Sequence, residues 1–419
     1  MGDEHGQLLA GMLDAVEDAA PVDAVEAVIG GLAAALNARA VSFLIADFSG
    51  RALVRLAHVP LHSAGEGRRA GDEVATVLPF DGGSAEQALR TQAVQTFAQP
   101  DGWTVLAPVT NRGEVMGLLE MTLPEEPAPP VLRAIGRTAH ALSYVVIANR
   151  RHTDLFEWGQ RTTSFSLSAE IQRRLLPAAL TCEASAFTLS GWLEPAATIG
   201  GDTFDYSLAR DVLHFSVTDA MGHGVASALT ATLGVGSLRN SRRRGDGLVQ
   251  QAETANTALI DNAVAPGAYL TALLGRLDLR TGVCSLLNAG HVSPLLVRDG
   301  DTRALRLVDP VPPLGMFRQT SYQAAEITLR PGDRLVLLTD GMLEREAAAL
   351  DVPARLREMT ALHPREAVRS LADAVREVAG PTLADDATLL ILDWHKRHNA
   401  ERTASAGADQ TQASAALPH

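Results

Sequence analysis

The chain has 419 residues, 46% of them hydrophobic and 20% charged, a globular composition long enough for two or three separately cored domains. Its 36 Lys and Arg against 49 Asp and Glu leave a net charge of −13, which argues against the basic face of a nucleic-acid-binding protein. Two cysteines, Cys182 and Cys284, lie far apart outside any CxxC pair, so neither a disulfide framework nor a thiolate zinc site is supported, and a reducing cytoplasm fits.

The N-terminus has no basic stretch ahead of an apolar run, and Gly6 stands where a myristoylation signal has Ser or Thr, so neither export nor a lipid anchor is expected. Leu8, Leu9, Met12, Leu13 and Val16 predict a helix within residues 1–20, and after Pro21 a second begins with Val25, Val28, Ile29, Leu32 and Leu36. Val41 to Ala46 and Leu53 to His58 read as strands. Val105 to Val109 and Val115 to Leu123 flank a hairpin turn at Thr110-Asn111-Arg112-Gly113-Glu114. Residues 21–130 therefore read as one α/β unit.

Pro124, Pro127, Pro129 and Pro130 break the pattern, and 131–178 reads as a long connecting helix closed by Pro177. Its most apolar part, Val131 to Ala148, is interrupted by Arg133, Arg137 and His140 and falls short of the roughly 20 apolar residues a membrane span needs. Ile135, Leu142, Val145, Val146, Leu155, Phe156, Ile171, Leu175 and Leu176 supply an apolar stripe. It admits two readings, a homodimer seam through 131–176 or packing on the adjoining domain, with Gly159 and the Thr162 to Ser168 stretch interrupting any heptad.

Over 179–395 the strands are predicted at Phe187 to Trp192, Val212 to Val217, Tyr269 to Leu277, Cys284 to Asn288, Leu295 to Val297, Arg334 to Thr339 and Leu389 to Asp393. Helices are predicted at Gly224 to Arg239, Leu248 to Asn262 and Pro364 to Val378. Turn signals at Arg298-Asp299-Gly300-Asp301 and Arg330-Pro331-Gly332-Asp333 favour antiparallel sheets covered by segregated helices, an α+β class rather than a doubly wound sheet. The tail, 396–419, is rich in Ala, Ser, Thr, Gln and Gly with little apolar periodicity, and is expected to be disordered.

Acidic residues recur where these strands end: Asp202 after Gly200-Gly201, Asp219 after Val217-Thr218, Asp340 before Gly341, and the pair Asp385-Asp386. Any one of them reads as a turn former. Several in one domain repel one another unless protonated or bridged, and an all-oxygen cluster suits hard Mg²⁺ or Mn²⁺. Two such ions would activate water for in-line attack on a phosphoryl group. Met221-Gly222-His223-Gly224 follows Asp219 and opens a helix, so its amides face an anion site or simply make a tight turn. His291, in Asn288-Ala289-Gly290-His291, reads as an imidazole beside the site or as a structural hydrogen-bonder. No GxxxxGK, HExxH or GxSxG segment is present.

In this order, IGGDTFDY, VTDAMGHGVASAL, YLTALLGRLD, NAGHVSPLL, PPLG, LTDGMLE and DDATLLIL closely resemble the SpoIIE-type branch of the metal-dependent serine/threonine protein phosphatases (PPM) across about 180–394. That resemblance implies an α-β-β-α sandwich, two Mn²⁺ or Mg²⁺ ions and hydrolysis of phosphoserine or phosphothreonine on a partner protein. It maps the catalytic metal ligands onto Asp202, Asp219, the Ala220 carbonyl, Asp340 and Asp385. Gly222, His223, Gly224, His291 and Asp386 are further candidates near the site, and the general acid stays unassigned because His223 lies four residues after Asp219. The segment after Glu344 is short and alanine-rich, without the glycine-containing flap of many relatives.

The stretch Ser164 to Pro177, containing AEIQRRLLP, resembles the regulatory helix preceding this domain in the branch, and residues 21–148 resemble a GAF sensor domain through element order and VLAPVTNRGEVMGLLEMT. Together these resemblances imply a cytoplasmic, sensor-regulated phosphatase. Its implied substrate is a phosphorylated STAS-fold anti-sigma-factor antagonist, and an unknown small ligand or protein is implied at the GAF-like unit. Two other readings stand beside it: a non-catalytic signalling scaffold, and a nucleotide cyclase prompted by the likeness of Gly200-Gly201-Asp202-Thr203-Phe204 to GGDEF.

Overall fold

A computed structural model describes residues 11–60, 77–80, 82–162, 165–194, 200–307, 311–343, 347, 349–380, 383, 386–396 and 404–416. They form two compact units, one of residues 1–164 with 403–419 and one of 165–402, so the second is inserted in the sequence of the first.

The first unit opens with helices α1 (residues 11–18) and α2 (Ala24–Leu36). Strands β1 (Ala40–Ala46), β2 (Ala52–Pro60) and β3 (Val77–Pro79) follow, then α3 (Ser84–Thr91) and strands β4 (Gln95–Gln99), β5 (Gly102–Asn111) and β6 (Glu114–Leu123). The strands make one antiparallel sheet in the order β3-β2-β1-β6-β5-β4. Alternation decides its faces. Val41, Phe43, Ile45, Val105, Ala107, Val109, Leu119 and Met121 share a core with α2, whereas Leu44, Ala46, Leu106 and Leu118 meet Ala88 and Leu89 of α3 on the other side.

The long helix expected over 131–178 is instead three helices: α4 (Pro129–Asn149), α5 (Leu155–Gly159) and α6 (Leu167–Leu175). Hydroxyls cause the restarts by offering the backbone local partners. Thr153 Oγ1 accepts from the Leu155 amide at 3.1 Å, and Ser166 caps α6 by accepting from the Ala169 amide at 3.2 Å. Pro129 and Pro130 start α4 rather than merely breaking the chain, since proline suits the first helical turn. Much of the expected seam is internal: Ile135, Leu142, Val145, Val146 and Phe156 are buried in the first unit's core, and Leu175 in the second's.

The second unit places two antiparallel sheets face to face. One has the order β15-β12-β11-β10-β9, built from β9 (Thr203–Leu208), β10 (Val212–Ala220), β11 (Leu270–Asp278), β12 (Val283–Ala289) and β15 (Ala324–Thr328). The other runs β14-β13-β16-β17-β8-β7, from β7 (Thr181–Glu183), β8 (Phe187–Glu194), β13 (Leu295–Arg298), β14 (Asp301–Ala304), β16 (Arg334–Leu338) and β17 (Ala387–Trp394). Phe187, Leu189, Leu335, Leu337, Leu390 and Leu392 of the second sheet pack on Phe204, Phe215, Val217, Leu273 and Leu286 of the first.

The alternate residues point outward into two helical layers. Ala272, Leu274, Leu287 and Ala289 lie under α7 (Gly224–Arg243) and α8 (Leu248–Asp261), while Val336, Leu338, Leu389 and Ile391 lie under α9 (Val352–Glu358) and α10 (Pro364–Ala379). This is an α-β-β-α sandwich. Burial on both faces explains why β16 and β17 read as continuous apolar runs rather than alternating ones. Cys182 and Cys284 are buried and form no disulfide, and burial pushes the Cys284 thiol far above its usual range. Among the described residues no helix is long and apolar enough to cross a membrane.

Residues 404–416 of the tail differ from its expected disorder. They carry the strands β18 (Ala404–Ser405) and β19 (Ala408–Asp409), with Ala408 and Asp409 buried in the first unit. Small side chains limit hydrophobic burial but permit close backbone approach, which composition alone does not register.

His214 on β10 is half-buried opposite Arg276 of β11, its Nδ1 has no hydrogen-bond partner, and burial with Arg242 and Arg276 nearby lowers its pKa from 6.5 to about 4. Between those values the unfolded chain holds the extra proton, so stability must fall as pH drops from 6.5 toward 4. His214→Gln is expected to flatten that decline, seen as a smaller difference in urea midpoint between neutral pH and the middle of the window. An unaltered difference would assign the acid sensitivity to other groups.

Candidate metal centre

The acidic motifs meet at one end of the sandwich. Thr203 pairs with Thr218 across the β9–β10 hairpin, so the adjoining Asp202 and Asp219 lie at the same sheet end, and the two threonine hydroxyls bond at 2.6 Å. In the other sheet, Asp340 opens a 3-10 turn one residue beyond β16, and Asp386 directly precedes β17, the strand paired with β16. Gly341 is fixed by this approach: a Cβ there would stand 2.0 Å from the Asp386 carbonyl oxygen.

Asp202 is 3% exposed, and its Oδ2 accepts from the Thr339 hydroxyl at 2.6 Å and the Thr388 hydroxyl at 2.8 Å. Thr339 Oγ1 in turn accepts from the Thr388 amide at 3.0 Å. Asp386 is equally committed, its Oδ2 accepting from Gln172 Nε2 at 2.6 Å and from the Gly201 amide at 3.0 Å. Gln172, on α6 and 1% exposed, also donates to the Asp202 carbonyl at 2.8 Å.

Burial raises the Asp202 pKa well above its usual range, and the carboxylates of Asp219 and Asp386 push it further, against the two threonine donors. An oxygen-rich cluster of mutually repelling carboxylates fits hard divalent cations. Among the described residues no three His, Cys, Asp or Glu side chains already stand in metal-holding geometry, and the expected ligand Asp385 lies outside the described residues, as does Glu344. The Ala220 carbonyl accepts from Ser227 Oγ of α7 at 2.8 Å and keeps a second lone pair.

Gly222 and Gly224 take positive φ of 95° and 72°, and His223 between them is exposed at the N-cap of α7. His291 is differently placed. Its Nδ1 meets Thr271 Oγ1 at 2.7 Å, its amide donates to Asn288 Oδ1 at 2.7 Å, and Asn288 Nδ2 donates back to its carbonyl at 2.8 Å. Thr271 stands opposite Asp219 on the sheet, and burial lowers the His291 pKa to about 4 against the pull of the Leu338 carbonyl, so the ring is neutral at neutral pH.

The residues that sequence reasoning missed are those that hold the site's oxygens in place: Thr339 and Thr388 on the Asp202 carboxylate, Gln172 on that of Asp386, and Ser227 on the Ala220 carbonyl. Three of them sit inside the family motifs, as the Thr of LTDG, the Thr of DDAT and the Ser of GVASAL, and Gln172 sits in AEIQRRLLP.

Comparison with known proteins bears on the second unit. Residues 209–395 match the family model of Stage II sporulation protein E (SpoIIE). The chain is 26% identical over 166 residues to phosphoserine phosphatase RsbP of Bacillus subtilis, covering 38% of this chain and 40% of that protein. It is 21% identical over 266 residues to phosphoserine phosphatase RsbU of the same organism, covering 60% of this chain and 79% of that one. Among solved structures it is similar to the PP2C phosphatase domain, with a fragment of the regulatory domain, of SpoIIE from Bacillus subtilis. That likeness has 18% identity and a TM-score of 0.43 over 51% of this chain and 65% of that chain. The second unit is thus a SpoIIE-type phosphatase domain, homologous to those of RsbP and RsbU. The chain spans about two fifths of the length of RsbP, 40%.

Asp386→Ala would leave the buried Gly201 amide and Gln172 side chain without their acceptor, at a cost of about 1–3 kcal/mol for an unsatisfied buried donor. Urea unfolding is expected to show that loss, with Asp386→Asn, which keeps one acceptor oxygen, retaining more stability than the alanine variant. Equal stability of Asp386→Ala and the unmodified chain would mean water replaces the carboxylate.

Proposed function

We propose that this protein is a metal-dependent serine/threonine protein phosphatase whose first unit is a GAF-like sensor. Its proposed substrate is a phosphorylated STAS-fold anti-sigma-factor antagonist in partner-switching control of transcription, in the cytoplasm. The observation that carries the reading is Asp202, buried, with Asp219 and Asp386 near enough to raise its pKa, the latter two within the residues 209–395 that match the family model. The names of RsbP and RsbU as phosphoserine phosphatases support the substrate class.

Asp202, Asp219, the Ala220 carbonyl, Asp340 and Asp385 would hold two Mn²⁺ or Mg²⁺ ions. Such ions, when bound, supply charge stabilisation to the phosphoryl group and activate water at neutral pH. The chain's own part is positional. Thr339 and Thr388 fix which way the Asp202 carboxylate faces, and Ser227 ties the first turns of α7 to the end of β10. The exposed Gly222-His223-Gly224 turn leaves room for a phosphorylated side chain to approach the helix N-terminus. No covalent intermediate is required, since attack of water breaks the P–O bond and leaves a free serine or threonine hydroxyl.

The segment preceding the domain gives regulation a route. α6 places Gln172 on both Asp386 and the Asp202 backbone, and Arg239 of α7 bonds the Leu175 carbonyl at the end of α6 and the Asp205 carboxylate of β9. A shift of α6 would therefore be felt at the acidic cluster, a two-state coupling through packed elements.

Purified protein is expected to release phosphate from an aryl phosphate in the presence of Mn²⁺ and not in its absence, with Asp219→Ala and Asp340→Ala reduced to background. Manganese-independent turnover, or full activity in both variants, would overturn the reading.

A further inference from the structure

Residues 404–416 come after the phosphatase-type domain in sequence, yet they pack within the first unit, where Ala408, Asp409 and Ser414 are only 1%, 4% and 2% exposed. β18 and β19 pair through Ser405 and Ala408 around Ala406 and Gly407, whose φ values of 50° and 95° are those of a two-residue hairpin turn. Ala406 holds a left-handed conformation that alanine adopts only when its surroundings impose it.

The surroundings are specific. The Gly407 carbonyl accepts from the Gly113 amide at 3.1 Å, in the turn between β5 and β6. A Cβ on Gly407 would stand 1.9 Å from the Thr110 carbonyl oxygen and 2.6 Å from His140 Nδ1 of α4, so only glycine fits. On either side of the turn's contact, Gln410 Nε2 donates to the Gln92 carbonyl at 2.8 Å and Arg90 Nε of α3 donates to the Ala415 carbonyl at 2.6 Å. Asp409 Oδ1 accepts the Thr411 amide at 3.0 Å and its hydroxyl at 2.6 Å, which shapes the segment between those anchors.

We propose that residues 404–416 are an intramolecular ligand of the first unit, a glycine-turn hairpin docked on a surface made by the end of α3, the β5–β6 turn and α4. The surface recognises backbone rather than bulk: the Gly113–Gly407, Gln410–Gln92 and Arg90–Ala415 hydrogen bonds each end on a main-chain carbonyl, which small residues leave accessible. A protein that binds the same face must present a similarly small-residued turn and displace this one. The inference is independent of the phosphatase reading, because it concerns only contacts inside the first unit.

Hydrogen exchange of the full chain, followed by mass spectrometry, tests it without reference to activity. In the unmodified protein residues 404–416 and the Arg112-Gly113 turn are expected to exchange at least roughly tenfold more slowly than an unstructured chain. Gly407→Val is expected to abolish protection in both segments together, and Ala406→Gly, which suits the turn, to keep it. Exchange of the tail at unstructured rates in the unmodified protein, or protection that survives Gly407→Val, would overturn the proposal.

Discussion

The carboxylate of Asp202 is the point on which the second unit turns. It precedes β9, on one sheet, but its hydrogen bonds come from Thr339 and Thr388, on the other. Asp386 completes the exchange in reverse, preceding β17 and accepting from Gly201 beside β9. Two buried acids thus stitch together the ends of two sheets whose shared core is mainly aliphatic and aromatic. Burying a charge is costly unless it is hydrogen-bonded, and here the bonds exist only when the sheets are stacked in this register. Stacking and site formation are consequently one event.

The same constraint explains which parts of the molecule are legible in sequence. Strands β8, β10, β11, β12, β16 and β17 are buried on at least one face, so their apolar pattern is strong, and the strands and helices expected at 212–217, 284–288, 224–239 and 364–378 lie within the elements found there. The aspartates are visible because each sits where such a run stops. The residues that hold them are not. A threonine at a strand end has the same local signature whether its hydroxyl bonds solvent or Asp202, and only the partner, 137 positions away for Thr339 and 186 for Thr388, distinguishes the two.

Helix continuity is the least legible feature, for a related reason. Residues 131–176 carry enough apolar positions for one long helix, but those positions serve different cores: Ile135 to Phe156 serve the first unit and Leu175 the second. Periodicity reports that a face is buried without reporting against what. The breaks are set by Thr153 and Ser166, whose side chains satisfy backbone amides that a continuing helix would have paired internally. β9 is hidden for the opposite cause, since Thr203-Phe204-Asp205-Tyr206 is too polar to read as a strand until Asp205 is seen holding Arg239 and Arg242.

The Asp205 cluster also limits how freely the acidic end of the sandwich can move. Arg239 and Arg242 approach Asp205 at 2.9 Å, with Asp205 only 7% exposed at its side chain, so the C-terminal part of α7 is anchored to the strand that Asp202 introduces. Breaking one partner of a buried pair leaves an uncompensated charge, which makes such an anchor stiff. The opposite end of α7 is the exposed Gly222-His223-Gly224 turn, where two glycines take positive φ. A helix fixed at its far end and joined through glycines at its near end presents a positioned dipole through an adaptable turn. Such an arrangement lets the turn adjust without disturbing the carboxylates of Asp202 and Asp386, which remain oriented by hydrogen bonds between the two sheets.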